Sequence, residues 1–295
     1  MTQEPIPAHV LAPPPDRSLA WATAQIGAGA RLLHVEPIIA SRWHANHILT
    51  MEHDDSIARV VLRRWARPGW EIDDPDFDAR REAGALAWLA PTPVTVPELL
   101  AVDPEGADTD VPALLVTLLP GSASPAKPDD PHRFVNELAR ALAEVHAVPV
   151  GAVPPYRPWR DLRSAAPPAW VPQAWHRLWE IVRDGPTSRE ERFIHRDYHH
   201  GNTLWSGGRL VGIVDWTTAS IGSRGVDIGH ARWNLALGHE PDLARDFLDA
   251  YRALAPDYGH DRYWDAAQVL DWLGEEPVTG EPFERLDGYL AEVLG

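Results

Sequence analysis

Cysteine is absent from the 295-residue sequence, and cations are scarce in it. The absence of cysteine excludes disulfide bonds and thiolate metal sites, and it agrees with a reducing compartment, so we expect a cytoplasmic protein. The 27 Lys and Arg residues stand against 43 Asp and Glu residues, which gives a formal net charge of −16 at pH 7. Nucleic acids and anionic membrane surfaces bind clustered Lys and Arg. We therefore expect neither of them as a partner.

Long apolar segments are also missing. No stretch approaches the roughly 20 apolar residues that a transmembrane helix needs. Residues 1–15 lack the basic start and the apolar core of a signal peptide, and they carry several prolines. We expect this segment to be a flexible leader. The remaining chain is long enough to bury a substantial core, and it contains no internal repeat.

The most informative segment runs from His195 to Trp216 and contains two aspartates and an asparagine at fixed intervals. Asn202 follows Asp197 by five positions, and Asp215 follows Asn202 by thirteen. A positioned carboxylate can accept the proton of an attacking hydroxyl, and carboxylate and amide oxygens are ligands that Mg²⁺ prefers. The segment therefore indicates phosphoryl transfer, with Asp197 as the catalytic base and Asn202 and Asp215 as Mg²⁺ ligands.

The residues between Asn202 and Asp215 predict a β-hairpin. Two apolar runs flank the turn sequence Ser-Gly-Gly at 206–208, and the second run places Asp215 at a strand end. Two alternatives remain open: a hairpin with ordinary turn carboxylates, and a transition-metal site. The ligands of that metal site would be His195, Asp197, His199 and His200.

A second group of polar residues lies upstream, in a predicted strand and in the helix that follows it. Because side chains alternate between the two faces of a strand, Val61 and Arg63 share one face. The helix is predicted to begin at the acidic segment 73–76, and Glu82 lies on its apolar stripe. A buried carboxylate needs a cationic partner, and Arg63 is the natural one. The alternative is a surface strand with two basic residues, Arg63 and Arg64.

The intervals in the downstream segment match two kinase motifs. The spacing from Asp197 to Asn202 is that of the H-R-D-x-x-x-x-N catalytic loop, and Asp215 stands where protein kinases carry their metal-binding Asp. Trp216 replaces the Phe of Asp-Phe-Gly, and no Ala-Pro-Glu follows. In these features the chain resembles the aminoglycoside phosphotransferase and choline kinase family, which phosphorylates small molecules on a kinase-like fold.

This resemblance implies an α+β, protein-kinase-like two-lobed fold with ATP and Mg²⁺ as cofactors. We expect an antiparallel-sheet N-lobe at 16–119 that binds the nucleotide. A mainly helical C-lobe at 120–295 would carry the catalytic and substrate-binding residues. Arg63, fixed by Glu82, would replace the kinase Lys that positions the ATP phosphates. The adjacent Arg64 is an alternative for the same contact.

The resemblance also assigns the adenine site. The run at 111–121 resembles the segment between kinase lobes, where backbone groups of Thr117 to Leu119 would hydrogen-bond adenine and Val61 would face the nucleotide. An ordinary core strand is the alternative. The loop at 40–46, which would cover the phosphates, contains no glycine, so it would use polar side chains or backbone amides for this purpose.

Asp227 and His146 stand at the ends of predicted helices. In the family an Asp at the position of Asp227 braces the catalytic loop, whereas the alternative for Asp227 is a plain helix N-cap. His146 stands at the end of a helix that is predicted to open at Asp130-Pro131, and it is expected to pack or to cap that helix.

Acidic residues are concentrated toward the C-terminus, where residues 240–295 contain fourteen Asp and Glu against four Arg. In the family, C-terminal helices help to form an acidic pocket for polycationic sugars, and a negative field raises the local concentration of such substrates. The alternative is a solvated acidic face on amphipathic helices. The candidate substrate residues are Asp271, Glu275, Glu276 and Trp264, with Trp272 as a second stacking face.

The resulting hypothesis is a kinase that transfers the γ-phosphoryl group of ATP to a hydroxyl of a small cationic molecule. An aminoglycoside-type antibiotic is the leading substrate, which would make the protein a resistance enzyme. A choline-, homoserine- or sugar-like metabolite and a macrolide are alternatives with the same chemistry. A pseudokinase that only binds nucleotide or ligand is the alternative without catalysis. The sequence leaves open the choice between ATP and GTP and the oligomeric state.

Overall fold

The computed structural model describes residues 6–39, 43–70, 78–125, 127–151, 153–187 and 189–295. The chain forms two compact units. The N-unit comprises Met1–Pro91, Thr95–Leu119 and Asp215–Thr218. The C-unit comprises Thr92–Val94, Pro120–Val214 and Ala219–Gly295. Within the described part of the chain, no helix is both long and apolar enough to cross a membrane.

A five-stranded antiparallel sheet with the order β1-β2-β3-β5-β4 forms the centre of the N-unit. Its strands are β1 (Arg31–Pro37), β2 (Ala45–His53), β3 (Ser56–Arg64), β4 (Leu99–Asp103) and β5 (Ala113–Thr117). A two-residue turn, Asp54-Asp55, joins β2 to β3, and φ is 48° and 59° at these residues. Tight hairpin turns of this kind need positive φ at both central residues, and the short polar side chain of Asp tolerates it.

One face of this sheet packs against helix α2 (Asp16–Ile26). The resulting core consists of Ala22 from α2 and the strand residues Leu49, Met51, Val60, Leu62, Ala113 and Leu115. Because side chains alternate along a strand, Val61 and Arg63 point to the face opposite that of Val60 and Leu62. The predicted shared face of Val61 and Arg63 is confirmed.

The segment that the sequence predicted as a flexible leader is partly helical. Ala8–Leu11 forms the short helix α1, and Val10 within it is fully buried. The prediction overlooked this helix because a single turn with one apolar anchor has no detectable periodicity. Its order comes from burial against β2 rather than from helix propensity.

Helix α3 (Ala79–Leu89) begins later than the sequence predicted. Its N-cap is Asp78, whose side chain accepts a hydrogen bond from the Arg81 amide at 3.1 Å. The predicted start at 73–76 lies outside the described residues. Glu82 stands in the first turn and is 4% exposed. The helix N-terminus carries partial positive charge, which favours a carboxylate at this position.

The C-unit is mainly helical. Its helices are α4 (Pro131–His146), α5 (Arg177–Asp184), α6 (Arg224–Gly238), α7 (Pro241–Leu254), α8 (Arg262–Trp272) and α9 (Glu281–Leu294). Its short strands are β6 (Ser122–Ala123), β7 (Arg192–Ile194), β8 (Thr203–Ser206), β9 (Arg209–Ile213) and β10 (Ser220–Gly222). They form one sheet with the order β6-β8-β9 and a second in which β7 pairs with β10.

Two predicted elements of the C-unit are confirmed. Strands β8 and β9 pair as an antiparallel hairpin, and the turn residues Gly207 and Gly208 adopt φ of 56° and 70°. Helix α4 begins after Asp130, whose side chain accepts a hydrogen bond from the Arg133 amide at 3.0 Å. The apolar residues on one face of this helix are all buried, namely Phe134, Leu138, Leu142 and Val145.

Candidate active site

The loop that carries Asp197 is anchored by Asp227. This loop follows β7, and the backbone amides of His195 and Arg196 donate to the two carboxylate oxygens of Asp227 at 2.8 and 2.6 Å. Arg196 has a φ of 73°, a conformation that costs energy for a residue other than glycine. Asp227 is fully buried, so its two hydrogen bonds fix this strained backbone in place.

Asp227 does not cap helix α6. The N-cap is Ser223, whose hydroxyl accepts a hydrogen bond from the Gly225 amide at 3.2 Å. The alternative prediction of a plain N-cap at Asp227 is therefore wrong. His146 also does more than pack, because its Nε2 lies 3.0 Å from Asp227 Oδ2 and its Nδ1 lies 2.7 Å from the hydroxyl of Tyr251. The loop that carries Asp197 is thus tied to α4, α6 and α7.

The carboxylate of Asp197 is held at both of its oxygens. Asn202 Nδ2 donates to Asp197 Oδ2 at 2.9 Å and to the Asp197 carbonyl at 3.0 Å. His230 Nε2 lies 2.9 Å from Asp197 Oδ1. Burial raises the pKa of the Asp197 carboxyl, but the hydrogen bond with His230 and the charges of nearby histidines outweigh it and keep the pKa well below its usual range. Asp197 is therefore an anion at neutral pH.

The same contacts orient Asn202 and His195. Because Asn202 Nδ2 is used by Asp197, the amide presents its carbonyl oxygen, Oδ1, as the atom suited to a metal ion. His195 Nδ1 accepts a hydrogen bond from the Asp197 amide at 3.3 Å, and its Nε2 donates to the Val214 carbonyl at 3.0 Å. His195 therefore shapes the loop, with its proton on Nε2.

A second cluster of charged residues lies in the N-unit. Arg63 Nε donates to Glu82 Oε2 at 2.7 Å, which is the partnership predicted from the sequence. Arg63 Nη2 donates to Asp215 Oδ1 and, at 3.1 Å, to the hydroxyl of Thr217. Thr217 Oγ1 also lies 2.9 Å from Glu82 Oε2 and 3.1 Å from Asp215 Oδ1. The arginine thus bridges two carboxylates, and the fully buried threonine joins all three charges.

The electrostatics of this cluster are dominated by burial and by opposite charge. Burial opposes the charged form of Arg63, but Asp215 and Glu82 outweigh it and raise the pKa of the guanidinium. Burial raises the pKa of Glu82 against the opposing effect of Arg63. Sequence reasoning found Arg63, Glu82 and Asp215 but missed Thr217, two positions after Asp215. Its neighbours Trp216 and Thr218 gave no signal that distinguishes it in the sequence.

Arg64 does not share the surroundings of Arg63. It points to the other face of β3, where its Nε donates to Asp110 Oδ1 at 3.0 Å and its Nη2 bonds to Asp110 Oδ2. Both arginines are buried, at 7% and 4% exposure, so the alternative of a surface strand is wrong. The only lysine in the sequence is Lys127, which lies outside this sheet. Of the two strand cations, Arg63 is the one grouped with Asp215.

The strand that was predicted to contact adenine, β5, already uses part of its backbone in hydrogen bonds with Glu98. The amide of Thr117 donates to the Glu98 carbonyl at 3.0 Å, and the Thr117 hydroxyl accepts from the Glu98 amide at 2.9 Å. Thr117 ends β5, and Leu119 follows two positions later. Val61 is partly buried and pairs with Val116. The Thr117 amide is therefore already used, and the contact of other backbone groups of Thr117 to Leu119 with adenine stays a prediction.

Three of the seven residues in the segment predicted to cover the phosphates, 40–42, lie outside the described residues. Asn46, at its end, belongs to β2 and pairs in register with Arg63. Its carbonyl accepts a hydrogen bond from the Ile38 amide at 2.8 Å, and the residue is buried. Asn46 is thus a strand residue rather than a loop residue.

Histidines surround Asp197, although not the set proposed as a transition-metal site. His200 packs between the rings of Phe134 and His239, at centroid distances of 6.5 and 4.7 Å. In the described part of the chain, one group of three residues places its ligand atoms within 4.8 Å of one another, and it consists of Asp197, His199 and His230. Sequence reasoning missed His230 as a neighbour of Asp197. Its signal was the spacing of three residues from Asp227 on one helix face.

A family model decides the identity of the chain. The model of the phosphotransferase enzyme family matches residues 39–270, which include both charged clusters. The chain belongs to the phosphotransferase enzyme family. This protein is therefore a phosphotransferase that acts on an alcohol group. No curated protein matches the chain.

Solved structures of other phosphotransferases share the fold of this phosphotransferase. An aminoglycoside-3′-phosphotransferase of type VIII is 18% identical, with 90% of this chain and 99% of that chain covered and a TM-score of 0.59. A macrolide 2′-phosphotransferase from Brachybacterium faecium is 20% identical, with 88% and 89% covered and a TM-score of 0.57. An amicoumacin kinase in complex with AMP-PNP and Ca²⁺ is 12% identical, with 95% and 93% covered and a TM-score of 0.58. The predicted α+β, protein-kinase-like fold is confirmed.

The predicted substrate residues of this phosphotransferase have different surroundings. Asp271 is partly buried, accepts a hydrogen bond from the Trp159 amide at 3.2 Å, and has a pKa that burial raises. Glu275 and Glu276 follow α8 and are exposed. Trp264 packs so closely on α6 that a Cβ added to Gly225 would meet its ring. Within the described residues, no hydrogen bond or ion pair joins the three acidic residues to Asp197.

Proposed function

We propose that this phosphotransferase transfers the γ-phosphoryl group of ATP to a hydroxyl of a small molecule, with Asp197 as the catalytic base. The observation that carries this proposal is the fixed carboxylate of Asp197. Asn202 and His230 hold its two oxygens at 2.9 Å each, and Asp227 holds the loop beneath it. A carboxylate in an ordinary surface turn would not need these hydrogen bonds.

Asp197 would accept a hydrogen bond from the acceptor hydroxyl and take its proton as the hydroxyl oxygen bonds to phosphorus. Its lowered pKa makes it a weak base, which suits a loose transition state in which the nucleophile needs orientation more than early deprotonation. Most of the rate enhancement would come from positioning and from neutralisation of charge.

Asn202 and Asp215 are the residues to which we assign Mg²⁺. Asn202 offers its amide oxygen, and Asp215 offers a carboxylate, which is the donor set that a hard divalent cation prefers. When bound, the ion would neutralise charge on the phosphates. Asp215 has a φ of 66°, and Arg63 and Thr217 fix its Oδ1 in the N-unit.

Arg63 is the residue to which we assign the ATP phosphates. Glu82 holds its Nε, and the planar guanidinium is therefore preset in orientation. The nucleotide base would lie against Val61 and contact backbone groups of Leu119 and the carbonyl of Thr117. In this proposal the segment at 16–119 is the nucleotide-binding lobe, and the segment at 120–295 is the catalytic and substrate-binding lobe.

The acceptor class that we propose is an aminoglycoside-type antibiotic, which would make this cytoplasmic enzyme a resistance factor. The net charge of −16 and the carboxylates of Asp271, Glu275 and Glu276 support a cationic substrate, with Trp264 as an aromatic neighbour. A macrolide is the second candidate. It is favoured by the aromatic pair of Trp233 and the 40% exposed Trp272, whose ring centroids lie 5.1 Å apart on α6 and α8.

The test is Mg-ATP-dependent ADP release across a panel of aminoglycosides, macrolides and small amino alcohols. Asp197→Ala should lower turnover by roughly 10²–10⁴-fold, because it removes the general base. Asp184→Ala is the matched control, since Asp184 is an exposed carboxylate at the end of α5. Full activity of Asp197→Ala would refute the assignment. Nucleotide binding without turnover of any acceptor would favour the pseudokinase.

A further inference from the structure

His230 lies at the centre of a hydrogen-bonded chain that leads from Asp197 to helix α8. It stands in the second turn of α6, and its Nε2 lies 2.9 Å from Asp197 Oδ1. Its Nδ1 lies 3.2 Å from Gln268 Oε1 on α8. Gln268 Nε2 in turn donates to the hydroxyl of Tyr156 at 3.4 Å. Two helices therefore fix the plane of the His230 ring.

Both ring nitrogens of His230 face oxygen acceptors. Gln268 is oriented by Tyr156 so that its carbonyl oxygen meets Nδ1, and the Asp197 carboxylate meets Nε2. This arrangement is satisfied when each nitrogen carries a proton, which makes the ring a cation beside an anion. Burial lowers the pKa of His230, but Asp197 outweighs it and raises the pKa above its usual value.

The Asp197 carboxylate thus has one donor on each oxygen, from two different elements. Asn202 approaches Oδ2 from within the loop, and His230 approaches Oδ1 from α6. Two donors on opposite oxygens prevent rotation of the carboxylate about its last bond. Each oxygen retains a second lone pair, so the group can still accept a hydrogen bond from an acceptor hydroxyl.

We infer that His230 is a positioning residue for phosphoryl transfer, which orients the Asp197 carboxylate toward the acceptor hydroxyl. This inference rests on the proposed function. In the reaction the hydroxyl oxygen bonds to phosphorus as the bond to the leaving nucleoside diphosphate breaks, and the hydroxyl proton passes to a free lone pair of Asp197. His230 keeps its protons throughout and donates to Asp197 both before and after the transfer.

A purely structural role makes a different prediction. The ring of His230 also contacts Trp233, at 5.3 Å between centroids, and it joins α6 to α8 through Gln268. If packing were its whole contribution, another aromatic ring would replace it without loss of kcat, and any fall in kcat would accompany a fall in Tm. A positioning role instead predicts a fall in kcat at nearly constant KM, with rescue by a side chain that keeps the hydrogen-bond donor.

The experiment compares His230→Phe and His230→Gln in the full-length enzyme with the acceptor that gives turnover. Phe keeps an aromatic ring without a donor, whereas the Gln amide nitrogen can replace Nε2 without a charge. We expect His230→Phe to lower kcat roughly ten- to hundredfold, the effect of losing a hydrogen bond to a charged group. KM for ATP and for the acceptor should change less than about threefold. His230→Gln should recover kcat to at least about three times that of His230→Phe.

The matched control is His132→Phe, an exposed histidine on α4, which should leave kcat unchanged. A kcat of His230→Phe within twofold of wild type would overturn the inference. An equal loss of kcat in both variants, in step with a lowered Tm, would also overturn it. If His230→Phe does not fold, His230→Leu serves as the variant without a donor; it should show the same fall in kcat at nearly constant KM, and a wild-type kcat in it would overturn the inference.

The two proposals fail in different ways. Turnover that Asp197→Ala abolishes and His230→Phe leaves intact would refute the role of His230 and leave the proposed function standing. Turnover that survives Asp197→Ala would refute the proposed function and remove the basis for a role of His230. The wild-type enzyme and Asp197→Ala therefore belong in the same series of assays.

Discussion

Thr217 is the residue at which the charged cluster of the N-unit converges. Its hydroxyl accepts from Arg63 Nη2 at 3.1 Å and lies 2.9 Å from Glu82 Oε2 and 3.1 Å from Asp215 Oδ1. One hydroxyl proton is thus shared between two carboxylates that a single arginine also joins. Removal of the hydroxyl leaves an oxygen of the buried Glu82 and one of the partly buried Asp215 without this donor, and a buried acceptor without a donor is costly.

Thr217→Val keeps the shape of the side chain and removes only its hydrogen bonds. Because Asp215 and Arg63 are assigned to the metal and the phosphates, we expect kcat/KM for Mg-ATP to fall roughly tenfold, consistent with the loss of one hydrogen bond to charged groups. Thr217→Ser should stay close to wild type because it keeps the hydroxyl. Steady-state kinetics with varied Mg-ATP measures both variants, and unchanged kinetics in Thr217→Val would refute a role for this hydroxyl.

The Asp197–His230 pair predicts how stability depends on pH. The pKa of His230 is raised, so its contribution is complete below its unfolded value of about 6.5 and is lost as the pH rises through the folded pKa. The pKa of Asp197 is lowered, so its contribution is present above about pH 4 and is lost as the pH falls toward the folded pKa. The pair therefore stabilises the fold most between about pH 4 and 6.5.

Urea unfolding of wild type and His230→Gln from pH 4 to pH 9 measures this contribution. The difference in free energy of unfolding between the two proteins should be largest at pH 5–6 and should shrink as the pH rises above about 7. A difference that grows with pH, or one that does not vary with pH at all, would contradict the ion pair.

Helix α6 is the element that anchors the loop that carries Asp197, and its first turn shows the limit of the sequence prediction. The sequence indicated a helix near Asp227 and a family role as a brace. It could not show that Ser223 is the N-cap, because Ser223 and Asp227 are both good capping residues. The choice depends on contacts with His195 and Arg196, which lie about thirty positions earlier in the chain.

Asp227→Ala and Ser223→Ala separate these two functions within one turn of helix. Asp227→Ala should lower the free energy of unfolding by about 3–5 kcal/mol and abolish turnover, because two backbone amides and His146 lose a buried partner. Ser223→Ala removes only a cap and should cost about 1 kcal/mol with turnover retained. Denaturant unfolding and ADP release measure both. Equal effects of the two substitutions would contradict the role of Asp227 in holding the loop that carries Asp197.

Elements with local signals were predictable, and those fixed by distant contacts were not. The hairpin of β8 and β9 followed from two glycines between apolar runs, and α4 followed from Asp130-Pro131 and its apolar stripe. The short helix α1 has no such signal, since burial of Val10 is what orders it. The N-cap of α3 at Asp78 could not be told apart in the sequence from the acidic segment 73–76, because both offer capping residues.

At the scale of the whole molecule, intervals along the chain carried more information than composition. The spacing of Asp197, Asn202 and Asp215 identified the chemistry, and the family match over residues 39–270 agrees with it. The net charge of −16 led us to expect no nucleic acid and no anionic membrane as a partner, but it did not locate a substrate site. His230 and Thr217 could not be predicted, because their roles depend on which helices and strands pack together rather than on spacing.

The central claim is that Asp197 directs the phosphoryl group to a hydroxyl of a small molecule. The most direct measurement is mass spectrometry of the acceptor after incubation with Mg-ATP and either wild type or Asp197→Ala. The account predicts a single phosphate ester on the acceptor with wild type and, over the same time, almost none with Asp197→Ala. ADP formation without a phosphorylated acceptor, or equal ester formation by both proteins, would contradict it.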